Sequence, residues 1–133
     1  MPTLALVSIE SMNTVHQEEL ALVHTLLQHL AHDEVHLIAT DLDTLLAHMQ
    51  KHFEGEEERM KTCQYPSFRM HKTEHDKVLQ ESRYAEMEWR NRKDREALRE
   101  YYEEVLTWLD QHIKAMDRPM ADFVSQFEKY RGY

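Results

Sequence analysis

Apolar side chains recur at steps of three and four through most of this chain, a spacing that gathers them on one face of an α-helix and scatters them over both faces of a strand. Between Met12 and Leu30, the residues His16, Leu20, Val23, Leu27 and Leu30 follow one such stripe. A polar break at His32-Asp33-Glu34 precedes a second run, in which Ile38, Leu42, Leu45, Met49, His52, Glu56 and Met60 share a face, ending near Cys63. Tyr65-Pro66 stops that run, and Ser67 is placed to cap a third helix that carries His71, His75, Val78 and Leu79 inward and fades near Trp89. The charged stretch from Arg90 to Arg95 turns the chain. Leu98, Tyr102, Val105, Leu109 and His112 then make a fourth stripe, with Pro119 beyond its end. Met120, Phe123, Val124 and Phe127 mark a shorter fifth helix packed on the outside. Only two glycines and three prolines interrupt these runs, so the expected fold is all-α. Short links between long helices predict an antiparallel up-down-up-down four-helix bundle with a short additional C-terminal helix. At 133 residues, one domain spanning 1–133 is expected.

The formal charge of -9 argues against nucleic acid as a partner, because phosphate binding needs a surplus of Lys and Arg. No apolar stretch approaches the ~20 residues of a membrane-spanning helix, so no stable membrane insertion is expected. Met1 to Leu20 lacks the basic start and continuous apolar run of a secretory signal, which predicts a soluble cytoplasmic protein. Cys63 is alone, cannot form an internal disulfide, and is expected to be structural. No long exposed apolar stripe remains once the bundle is built, and a monomer is expected.

Ten histidines are out of proportion for such a chain, and several of them, with two acids, fall on stripes where an unpaired polar group is costly. His52 and Glu56 on the second helix are four residues apart, as are His71 and His75 on the third, so each pair projects two donor atoms from one face. The fourth helix adds His112 and Asp117. Five residues rotate roughly 140° around a regular helix, so Asp117 joins His112 only where the helix end bends or unwinds. His16 contributes from the first helix. A lone histidine on an apolar stripe is ordinarily a satisfied core residue. Here all four helices offer an inward nitrogen, two add a carboxylate, and no basic residue on the stripes neutralises them.

Five imidazoles and two carboxylates exceed what one tetrahedral zinc accepts, which implies two metals. Calcium and magnesium prefer oxygen shells, and apart from Cys63 there are no thiolates for copper(I) or an iron–sulfur cluster, whereas imidazole with carboxylate suits iron. If both carboxylates and one solvent oxygen bridge the metals, the set falls one ligand short of two octahedra. The gap is a place for a diatomic gas.

The segment His52-Phe53-Glu54-Gly55-Glu56-Glu57-Glu58-Arg59-Met60, followed by Tyr65-Pro66 and His71-x-x-x-His75, resembles the central signature of the hemerythrins, and specifically of single-domain bacterial hemerythrins. Trp108-Leu109-Asp110-Gln111-His112-Ile113, with Asp117 after it, is similar to the family's last-helix motif, and Ile9 to His16 resembles the segment bearing its first histidine. The resemblance spans about residues 8 to 118, leaving 119–133 as a helical extension. It implies two non-heme irons bridged by an oxo or hydroxo group and by the carboxylates of Glu56 and Asp117. His71, His75 and His112 would bind one iron, and His16 and His52 the other. Molecular oxygen would bind reversibly on the side with fewer histidines, for storage, transport or delivery to an oxygen-consuming recipient protein. The alternative is an oxygen or redox sensor, or a nitric-oxide and iron-handling protein, acting through a partner. The start Met1-Pro2-Thr3-Leu4-Ala5-Leu6 departs from the family's tryptophan-containing one.

An enzyme is not expected. Ferritin-like di-iron sites use Glu-x-x-His motifs on two helices, and this sequence contains none. His32-Asp33-Glu34-Val35-His36 fails as a zinc-protease motif, because Asp33 stands where that motif needs Glu. His24, His29, His32, His36 and His48 are expected to be solvent-facing or partly buried. The mixed-sign cluster around Arg90, Arg92, Lys93 and Arg95 reads as a solvated surface, and Met49, Met60, Met70 and Met87 as core filling.

Overall fold

The computed structural model describes residues 4–130. Five α-helices follow in order: α1 (Glu10–Ala31), α2 (Ile38–Thr62), α3 (Phe68–Arg92), α4 (Arg95–His112) and α5 (Arg118–Tyr130). A 3-10 turn (Val35–Leu37) leads into α2, and a π-helical turn (Ile113–Asp117) joins α4 to α5. The first four form the bundle, α1 packing on α2 and α4, and α3 on α2 and α4. Among the described residues there is no strand, and none of their helices is long and apolar enough to cross a membrane.

The predicted stripes face inward in two apolar clusters. One gathers Val23, Leu26, Leu42, Leu45, Phe53 and Tyr102. The other gathers Leu4, Val7, Met60, Leu109, Met120 and Val124. On α1 Leu26 is fully buried, whereas Leu27, placed on the stripe by its spacing, only flanks the core. Met49 and Met60 fill the core as expected, but Met70 and Met87 are 61% and 51% exposed, because α3 turns them outward. Cys63 is buried and its thiol donates to the Met60 carbonyl at 3.6 Å.

Helix ends differ from expectation where side chains act on the backbone. Ser67 holds the N-cap position of α3, yet its hydroxyl accepts no helix N–H. Helix α3 continues past Trp89 to Arg92, supported by Arg90–Glu86 and Arg92–Glu88 pairs four residues apart. The turn is therefore only Lys93 and Asp94. Lys93 takes a left-handed conformation (φ 54°), and Asp94 caps α4 by accepting from the Ala97 N–H at 3.1 Å. Pro119 lies beyond the end of α4, as expected, and is the second residue of α5, where a missing N–H is tolerated.

Helix α5 lies across the end of the bundle, burying Met120, Ala121 and Val124, with Phe123 and Phe127 partly buried. The segment before α1 is held beside it. Asn13 accepts from the Val7 N–H at 2.8 Å and donates to the Val7 carbonyl at 3.0 Å, and Arg118 donates to the Leu6 carbonyl at 3.0 Å. Met1, Pro2 and Thr3, and residues 131–133 of the expected extension, lie outside the described residues.

Candidate metal centre

The structure brings all seven predicted residues together. His16 on α1, His52 and Glu56 on α2, His71 and His75 on α3, His112 on α4 and Asp117 on the π turn are all buried. The irregular helix end that the five-residue step required is the π turn itself. Its wider i to i+5 spacing returns residues five apart to nearly one face, so His112 Nε2 and Asp117 Oδ1 lie 3.2 Å apart.

Each carboxylate divides its two oxygens between two groups of histidines. Glu56 Oε1 faces His71 Nε2 at 3.3 Å and His75 Nε2 at 3.1 Å, while Oε2 faces His52 Nε2 at 2.7 Å and His16 Nε2 at 3.4 Å. Asp117 Oδ1 faces His71 and His112 at 3.0 and 3.2 Å, and Oδ2 faces His16 at 3.1 Å. One group thus holds Glu56, His71, His75, His112 and Asp117, and the other His16, His52, Glu56 and Asp117, with the donor atoms of each group within 4.8 Å of one another. An ion sitting ~2 Å from each donor spans such a group after a small inward movement.

Glu56 Oε1, both oxygens of Asp117 and the Nε2 atoms of His71, His75 and His112 are buried without a hydrogen-bond partner. Each such orphan costs on the order of 1–3 kcal/mol, and a bound cation relieves them together.

Behind the cluster stand three acids that the stripe pattern missed. His52 Nδ1–H donates to Glu19 at 2.9 Å, His75 Nδ1–H to Glu57 at 3.0 Å, and His112 Nδ1–H to Glu74 at 2.9 Å. Each bond fixes a tautomer that leaves Nε2 free to bind a metal. Glu19 had a signal, since it is buried one turn after His16 on α1. Glu57 and Glu74 act across helices, which spacing within one helix does not reveal.

In the metal-free protein these groups shift one another. Burial opposes charging His71, but the Asp117 and Glu56 carboxylates overcome it and push its pKa up to about 9. His16 and His52 move upward for the same reasons, His52 mainly through Glu19 and Glu56. Burial also opposes charging Glu19, but the His52 charge and the His48 contact hold it down at about 2; Glu56 and Asp117 are lowered by their histidines as well. Groups with raised folded pKa values stabilise fully below 6.5 and lose that contribution as pH rises through about 9. The lowered carboxylates contribute above about 4.5 and lose it as pH falls toward about 2. Urea midpoints of metal-free protein should therefore peak between pH 4.5 and 6.5 and fall on both sides. A midpoint unchanged from pH 6 to 9 would show that the histidines are not charged there.

The other histidines stay outside the cluster. His32 and His36 are exposed at the α1–α2 break, not paired on one helix face, and His29 meets Asp41. His24 is partly buried, and His48 contacts Glu19 and Glu18 at 3.2 and 3.4 Å. The basic cluster is solvated and paired, with Arg90 on Asp43 and Arg95 on Asp33.

Fold and cluster together define a four-helix-bundle metal-binding protein. A family model described as the hemerythrin HHE cation binding domain matches residues 7–124. Bacteriohemerythrin of Aquifex aeolicus (strain VF5) is 32% identical over 111 residues, 83% of this chain and 85% of that one. Bacteriohemerythrin of Ralstonia nicotianae (strain ATCC BAA-1114 / GMI1000) is 35% identical over 86 residues, 64% of this chain and 61% of its own. The chain belongs to the hemerythrin family.

Proposed function

We propose that this protein reversibly binds molecular oxygen at a non-heme di-iron centre, for storage, transport or delivery to an oxygen-consuming partner, and is not an enzyme. The division of each carboxylate between a three-histidine and a two-histidine group supports this reading most directly. His71, His75 and His112 would hold one iron and His16 and His52 the other, with Glu56 and Asp117 shared. The first group offers five protein donors and the second four, so the iron on the His16 and His52 side would have one protein ligand fewer. Bound there, ferrous iron would supply electrons and a position for a diatomic gas.

The chain's own residues keep that exchange reversible. Glu19, Glu57 and Glu74 hold three ligand rings in orientation. Phe53 stacks on His75 at 4.1 Å, and all five ligand rings are buried away from solvent. A histidine-rich shell with two carboxylates also lends the metals less negative charge than the Glu-rich ferritin-like sites, which disfavours high-valent iron.

The test is an optical titration of iron-loaded, anaerobically reduced protein with oxygen. A visible band that appears with oxygen and vanishes on degassing is expected. Irreversible conversion to a ferric spectrum would instead indicate a sensor or scavenger, and failure to retain iron would end the metal-centre reading.

A further inference from the structure

Two surface grooves are lined in part by residues of the donor cluster. The larger, between α3 and α4, touches His112 of the five-donor group. Trp108 lines it beside His112, its Nε1–H donating to Glu74 at 3.1 Å and its ring stacking on His112 at 4.6 Å. The smaller groove, about 370 Å³, lies between α1 and α2 and is lined by His52 of the four-donor group and by Glu56, which both groups share.

Gly55 lines this smaller groove, in the interior of the 25-residue helix α2. Glycine weakens a helix interior and normally answers a need for positive φ or close approach. Neither need exists here. Gly55 has no positive φ, and a Cβ built on it would meet nothing within 4 Å. What its missing side chain preserves is the open space beside it. Lys51 and Arg59, one turn to either side, line the same groove and form no ion pair among the described residues. Arg59 reaches across to Ser11 Oγ at 2.9 Å.

We propose that the α1–α2 groove is the portal by which dioxygen and small anions reach the open metal position, and that Gly55 keeps it open. The proposal rests on the di-iron reading for its destination, and on the groove alone for its route.

Gly55→Leu fills the groove with a better helix former. In iron-loaded, oxidised protein followed by stopped flow with azide, association and dissociation should both slow by about tenfold or more while the equilibrium constant is nearly unchanged. Gly55→Ala should fall between. Unchanged rates in Gly55→Leu would overturn the proposal, as would slowing by Thr73→Leu, which obstructs the α3–α4 groove instead. A second readout needs no metal. Under xenon pressure, methyl NMR signals of Met12 and Val15, which line the groove, should shift in the metal-free protein and stay fixed in Gly55→Leu. No shift in the unaltered protein, or a shift that persists in the variant, would overturn it. Protein that retains no iron would sink the di-iron reading, and the xenon comparison would then decide the portal by itself.

Discussion

Glu56→Gln is expected to leave the helices intact while at least halving the iron that reconstituted protein retains. The amide keeps the shape of the side chain but exchanges one oxygen for an NH2 group, which donates hydrogen bonds and offers a metal no lone pair. Oε1 faces His71 and His75, and Oε2 faces His52 and His16. Whichever end the nitrogen takes, one histidine group loses its shared oxygen. Elemental analysis beside far-UV circular dichroism measures both halves of the expectation. Full iron content with an unaltered visible spectrum would remove Glu56 from the shared position.

Glu19→Ala should act on metal and fold together. Glu19 is 2% exposed and accepts from His52 Nδ1 at 2.9 Å and His48 Nδ1 at 3.2 Å. Losing an acceptor behind a ligand histidine typically weakens metal binding by ~10–100-fold. In the metal-free protein, removing one partner of a buried charged pair costs roughly 3–5 kcal/mol. Competition with a calibrated chelator reads the first effect and urea denaturation the second. Glu19→Gln separates them, because an amide oxygen can still accept from His52. It should recover most of the stability and only part of the affinity. Equal iron affinity in all three proteins would reduce Glu19 to a packing role.

The helices were legible because their apolar faces are long and regular, and the paired donors because His52–Glu56 and His71–His75 repeat the helical step. Even Asp117 was legible as a demand, since the five-residue step from His112 could be met only by an irregular turn, and the structure has one. What spacing could not show lies between helices. Glu57 and Glu74 are polar residues near the margin of their helices, and only the packed bundle puts them against His75 and His112. The continuation of α3 past Trp89 was hidden for a related reason: Arg90 and Arg92 look like a turn until Glu86 and Glu88, four residues earlier, are seen to pair with them. For Met70 and Met87 the residue type alone points inward, whereas α3 faces solvent at both positions.

The π turn also sets how the chain tolerates changes in its own length. A regular α-helix would place His112 on one face with a residue four positions on, as His52 and Glu56 are placed, so this segment carries one residue more than such a pair needs. The surplus is absorbed locally: Asp117 still meets His112, and α5 buries Met120, Ala121 and Val124. Removing one of Lys114, Ala115 or Met116 would let the turn relax to ordinary winding with those contacts preserved. Adding one would rotate Asp117, Met120 and Val124 by roughly 100° away from their partners. The joint between donor layer and end helix therefore has slack in one direction only.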